Sequence, residues 1–87
     1  MTRYCRAASA LWRAVPGHLL LSDAHGEVVD VTGSGALVWE LLAAPMEASD
    51  LVVEVGRLYG EDASAVETPV RALLADLVAR GFVEVTS

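Results

Sequence analysis

GEVVDVTGSGALVWELL, residues Gly26 to Leu42, reads as a short strand running straight into an amphipathic helix. In the strand, Glu27 to Val31, side chains alternate between faces, so Val29 and Val31 share one face and Val28 and Asp30 the other. The helix is predicted from Gly35 to Ala43. Leu37, Val38, Leu41 and Leu42 recur on one side of it. Thr32 or Ser34 is placed to cap it, because a hydroxyl accepts a bond from the free N–H groups of the first turn. Pro45 marks its end, since proline cannot continue a helix.

Working back from this junction, Leu11 to Val15 and His18 to Ser22 read as two further strands. The run HLLL in the second suggests burial on both faces. Pro16-Gly17 and Asp23-Ala24-His25-Gly26 are the turns between the three strands, Pro presetting φ and Gly tolerating positive φ. Turns this short join antiparallel neighbours. The three strands therefore form a meander, with the first and third strands at its edges. Residues 1–9 show no period and are expected to be a flexible arm, leaving 10–87 as one domain.

Working forward, Ala48 to Tyr59 is a second helix with the stripe Leu51, Val52, Val55, Leu58 and Tyr59, closed by Gly60. Ser64 and Glu67 fit a capping box for a third helix. Pro69 leaves two readings open: a start at Ser64 with a bend near Pro69, which we favour, or a start at Thr68 with Pro in the first helical position. Val70, Leu73, Leu74, Leu77 and Val78 lie on one face, and Arg80-Gly81 ends the helix. Phe82 to Val85 reads as a short extended tail.

The 87 residues make one domain. At this length only about 60–65% of the unfolded surface is buried, which leaves little room for an internal active site. Apolar residues are 54% of the chain, too many for intrinsic disorder. One cysteine, Cys5, rules out an intrachain disulfide and fits a reducing cytoplasm. No apolar run of about 18 residues is present, so no membrane span is expected. The net charge is −6, with three Arg and no acid in residues 1–22 and twelve acids against three Arg beyond. That balance repels nucleic acid and favours basic partners.

The sequence offers no catalytic constellation. His18, His25 and Cys5 come from separate segments without zinc spacing, so no metal site is expected. Cys5 shows no adjacent base that would make it a nucleophile. Gly33-Ser34-Gly35 lacks the Lys of a phosphate loop and the third glycine of a dinucleotide fingerprint, and reads as a flexible turn. The carboxylates are dispersed, so no acid–base pair is nominated. Neither catalysis nor a cofactor is expected.

The run HLLLSDAHGEVVDVTGSGALVWELLAAP resembles the PqqD-like domains, the leader-peptide recognition elements of ribosomal peptide natural-product pathways. Their pattern is a Leu-Leu-Asp-like strand, a Gly turn, a strand ending near Leu-Asn, and a Thr-Gly-Ala-x-x-Trp-Glu-Leu-Leu helix. Leu20-Leu21-Ser22-Asp23, Gly26, Val31-Thr32 and Gly35 to Leu42 occupy those places. LVVEVGRLYG and ALLADLVARGFVEV are similar to the family's second and third helices. Val31-Thr32 departs from Leu-Asn, and Pro69-Val70 replaces the Asp-Val that usually opens the third helix's repeat.

The resemblance implies an α+β, winged-helix-like fold of three antiparallel strands followed by three helices (βββααα). It implies a non-catalytic adaptor that binds a precursor's leader peptide as an added strand beside the third strand, packed on the third helix. The residues placed there are Glu27, Val28, Val29, Asp30 and Val31 on the strand, and Val70, Arg71, Leu74, Leu77 and Val78 on the helix. Main-chain groups of an edge strand bind extended peptide, and flanking pockets read its alternate side chains. Asp30 is placed to attract Lys or Arg of a basic leader. A proline at Val29 is expected to weaken binding, provided that N–H faces the peptide. Trp39 is read as a packing residue. The expected partners are the leader peptide and a separate leader peptidase or modifying enzyme, without nucleic acid or membrane. So short a chain is expected to stand free of its enzyme. The lasso-peptide type is favoured, with delivery to a radical enzyme as in pyrroloquinoline quinone (PQQ) synthesis, or a winged-helix DNA-binding or scaffold role, as the alternatives. A DNA reader needs a basic face, and Val70 to Gly81 offers only Arg71 and Arg80 beside Asp76.

Overall fold

The computed structural model describes residues 2–16, 18–22 and 26–86. Its strands are β1 (Arg3–Arg6), β2 (Leu11–Val15), β3 (His18–Ser22), β4 (Val28–Val31) and β5 (Val83–Thr86). Its helices are α1 (Ser34–Leu41), α2 (Ala48–Tyr59) and α3 (Ala63–Ala79). The expected α+β class is present: a three-stranded antiparallel sheet in the order β2-β3-β4, followed by three helices. The turn residues Gly17 and Asp23-Ala24-His25 lie outside the described residues. Gly26, the last residue of the second turn, holds φ at 81°.

The chain ends depart from the sequence reading. Where an arm is expected over 1–9, β1 pairs antiparallel with β5, from Arg3 opposite Thr86 to Arg6 opposite Val83. On its other side Tyr4 exchanges backbone bonds with Met46 at 2.7 and 3.0 Å. Four residues without a hydrophobic period give no local signal; the pairing is a long-range contact made between the two ends of the domain. Arg6 secures it. Its Nε donates to the Trp39 carbonyl at 2.9 Å, one of the acceptors left over at the end of α1. Its guanidinium also lies 4.9 Å from the centroids of both Trp12 and Trp39.

In the sheet, Leu19 and Leu21 are buried and Leu20 is half-buried. The expected two-sided burial of HLLL is therefore corrected to an alternation. One sheet face meets the helices and the other faces solvent. Leu19 and Leu21 join Val38, Trp39, Leu42, Leu51, Val52, Val55, Val70, Leu74, Leu77 and Phe82 in a single core. Trp39 is 2% exposed, a packing residue as expected.

Helix boundaries correct several local expectations. The N-cap of α1 is Gly33, at φ 62° and ψ −130°, without a side-chain cap bond from Thr32 or Ser34. That backbone region is closed to residues with a side chain, so the glycine sets the strand-to-helix turn. α3 begins at Ala63 with Asp62 as N-cap, so Ser64 falls within the first turn and the capping box does not form. Glu67 instead accepts from Arg71 at 3.0 Å. α3 runs through Pro69 to Ala79. The carbonyl of Ala65, deprived of its N–H partner by Pro69, lies on the exposed side of the helix, where water can serve it. Leu58 and Tyr59, expected in the α2 stripe, are 48% and 50% exposed. The buried face of that turn is taken by Gly56, where an added Cβ would lie 2.8 Å from the Glu61 carbonyl.

Candidate functional site

β4 is, with β2, one of the two outer strands of the three-stranded sheet. Which of its backbone groups point outward follows from register. Val15 pairs with His18 across two intervening residues. In an antiparallel ladder the pairs alternate between hydrogen-bonded and non-hydrogen-bonded. Were Val15 and His18 a non-bonded pair, the next bonds would have to join residues 16 and 17, which are chain neighbours. The Val15–His18 pair is therefore bonded, and so are Arg13–Leu20 and Leu11–Ser22. His18, Leu20 and Ser22 spend their backbone groups on β2, and Leu19 and Leu21 turn theirs toward β4. Their partners there are Val31 and Val29. By the same alternation, the N–H and C=O groups of Val28 and Asp30 face away from the sheet. Among the described residues no strand lies on that side.

Side chains along β4 alternate as the sequence predicts. Val28 and Asp30 are exposed, and Val29 and Val31 are half-buried toward the helices. The Asp30 carboxylate accepts from His18 Nδ1–H, with its two oxygens at 3.0 and 3.1 Å. Val31 sits against α1. A Cβ on Gly35 would approach Val31 Cγ1 to 2.5 Å and Leu73 Cδ1 to 3.8 Å. Gly35 thus brings the end of β4, the start of α1 and the middle of α3 together.

Beside β4 lies an open cleft of about 420 Å³, lined by Glu27, Val29, Val78, Ala79, Arg80, Gly81 and Phe82. Its α3 wall is a helix terminus with a defined cap. Gly81 N–H donates to the Val78 carbonyl and Phe82 N–H to the Leu77 carbonyl, both at 3.0 Å. Gly81 has φ 80°, so this is a Schellman turn. It folds Phe82, 1% exposed, back into the core beneath the cleft. Arg80 bonds through Nε to both oxygens of Asp76, at 3.2 and 3.1 Å, and so stands at the rim.

The sequence-predicted residues divide. Glu27 precedes the strand and lines the cleft with Val29 and Val78. Val28 and Asp30 supply the outward backbone, and Val31 packs at the α1 junction. Val70, Leu74 and Leu77 are 2%, 2% and 3% exposed. Their placement on a peptide-facing surface is corrected to the core, because a helix of this sheet-and-helix layer turns its most apolar side inward. Arg71 lies elsewhere, with Thr2, Tyr4 and Glu47 around a separate hollow at the start of α2. Ala79 to Phe82 are the cleft residues that the sequence reading missed. Their signal is present in the Gly81-Phe82 pair, a C′ glycine followed by an apolar C″ residue.

No group of three or more metal-ligating side chains occurs among the described residues. Among the described residues no helix is long and apolar enough to cross a membrane. Against known proteins, the family model for coenzyme PQQ synthesis protein D (PqqD) matches residues 17–83. No curated protein and no solved structure matches.

Proposed function

The chain belongs to the PqqD family, and we propose that it is a non-catalytic adaptor that captures the leader of a ribosomally made precursor peptide along β4. The family association supports a small peptide-binding role in such pathways. The observation that carries the reading is the outward-facing backbone of Val28 and Asp30 directly beside the cleft that ends at Phe82. An extended peptide adds to that edge through main-chain bonds. Every second side chain then turns toward Val29, Val78 and the α3 terminus. The alternate side chains lie on the solvent face, in line with Val28 and Asp30.

The adaptor would then present the precursor to a separate enzyme. We favour a leader peptidase of a lasso-peptide pathway. Delivery to a radical enzyme, as in PQQ synthesis, is the second reading, in line with the family's description as a coenzyme PQQ synthesis protein. A cytoplasmic setting fits both. The test is a titration of the ¹⁵N-labelled chain with the leader of a precursor encoded beside its gene. Saturable amide shifts at Glu27 to Val31 and Val78 to Phe82 are expected. Shifts confined to β1 and β5, or none, would overturn the reading.

A further inference from the structure

The outer face of the sheet carries a row of side chains, Arg13, Leu20 and Asp30, set by the register of β2, β3 and β4. His18 stands diagonally across from Asp30 on that face and holds both of its carboxylate oxygens through Nδ1. Both members of the pair are about half exposed, at 51% and 53%. Asp30 is also one of the two residues whose backbone faces the open edge. A strand added there places one of its side chains about 4.5–5.5 Å from that of Asp30, on the same face.

We propose that Asp30 and His18 form a cation-reading subsite that selects Lys or Arg at the position of the bound peptide opposite Asp30, with His18 setting the strength of the selection. This rests on β4 being the docking edge. With a neutral imidazole the pair presents one net negative charge to the added strand. With an imidazolium it is close to neutral, and the preference fades. Imidazoles change charge between about pH 5 and 8, whereas ordinary carboxylates stay ionised throughout that range. Of the other charged groups, Arg13 on β2 shares the outer face with His18, and Arg6 of β1 and Glu40 of α1 line the hollow near Trp12 and Trp39 that His18 also lines. Carboxylates and guanidinium groups as classes keep their charge across that range, which leaves the imidazole as the member of the cluster whose charge can change. Its proton sits roughly 7 Å from a cation opposite Asp30, which at low salt corresponds to about a two- to fivefold change in affinity.

The test uses a random 12-residue peptide library selected on the immobilised chain at pH 8 and at pH 5.5 in about 20 mM salt, a range where screening is weak. Winners at pH 8 should carry Lys or Arg at one fixed position, and those at pH 5.5 should not. For a single winner, affinity should fall two- to fivefold between pH 8 and 5.5. Replacing its fixed Lys by Gln, or introducing His18→Gln in the chain, should flatten that dependence. Asp30→Asn should abolish the Lys preference at pH 8. Peptides that shift the Val28 and Asp30 amides yet show no basic position, or a slope that survives His18→Gln, would overturn the subsite and leave strand addition standing. Winners that bind without moving the Val28 to Val31 amides would instead overturn the docking edge itself.

Discussion

Proline scanning of β4 separates the backbone that holds the fold from the backbone that is offered to a peptide. The N–H of Val29 points into the sheet toward Leu21, a residue with 0% exposure. Val29→Pro therefore strands a buried carbonyl at a cost of about 1–3 kcal/mol. In a domain this small, each kcal/mol lowers the melting temperature by about 4–8 °C. The N–H of Val28 points outward from a residue that is 62% exposed, and an edge position tolerates proline on its solvent side. Val28→Pro should therefore melt within about 4 °C of the parent, the shift expected for a change below 1 kcal/mol. Its effect should fall on binding. It removes one donor to the added strand and leaves a peptide carbonyl facing the proline ring. That costs about 1–3 kcal/mol, or roughly 5- to 150-fold in affinity. Val28→Thr, which keeps the N–H, should bind within about twofold, as expected when only an exposed side chain changes. Thermal melts by circular dichroism and anisotropy titrations of a labelled leader give both quantities. A Val29→Pro chain as stable as the parent, or a Val28→Pro chain that binds as tightly, would refute the assignment of the outward groups. A proline at Val29, the choice that sequence alone suggests, would report a damaged fold as lost binding.

Three further outcomes are expected in the scaffold. Arg6→Ala removes the donor to the Trp39 carbonyl and the cation between two indoles, and should cost about 2–3 kcal/mol; a melting temperature unchanged within about 2 °C would contradict that role. Gly35→Ala drives a methyl against Val31 Cγ1 and should destabilise by about 1–3 kcal/mol, with Val31→Ala restoring part of the loss in the double variant; strictly additive losses in chemical denaturation would show that the two residues do not meet. Pro69→Ala restores an N–H to the Ala65 carbonyl within α3 and should raise the melting temperature by at least about 4 °C, the shift for 1 kcal/mol; a lower melting temperature would mean that the ring contributes packing.

What was legible in the sequence follows the range of the interactions. α2 is legible to its observed boundaries, Ala48 to Tyr59, because its apolar period and its terminal glycine are local signals. The meander was legible for the same reason: short turns leave little choice of partner. The β1–β5 pairing was not, since it joins residues about eighty positions apart and rests on Arg6 meeting a helix end. The apolar face of α3 is legible too, but periodicity gives the direction of a stripe and not its depth. Val70, Leu74 and Leu77 sit in the middle of that stripe and are covered by the domain itself, whereas Val78 lies at its margin and reaches the cleft. A peptide-facing residue on such a helix is one at the edge of the apolar arc. The centre of the arc, which carries the strongest hydrophobic signal, belongs to the core.

The phase of the docking edge was closer to legible than its residue list suggests. Two residues between Val15 and His18 force that pair to be hydrogen-bonded, and parity then carries through β3 to β4. The missing piece was the register of the second turn: Ser22 opposite Val28 leaves five residues between them. Had the turn held four or six, Val29 would have faced outward and Val28 inward, and every side chain on β4 would have exchanged faces with it. Asp30 would then have pointed at the core opposite Leu19 or Leu21, an ionised group without a partner, and Val29 and Val31 would have been left in water. The alternation Val-Asp-Val therefore selects the turn length that keeps the carboxylate outside. In doing so it also selects which amides are offered to a peptide. The charge that forbids the wrong register is the same charge that stands beside the free edge in the right one.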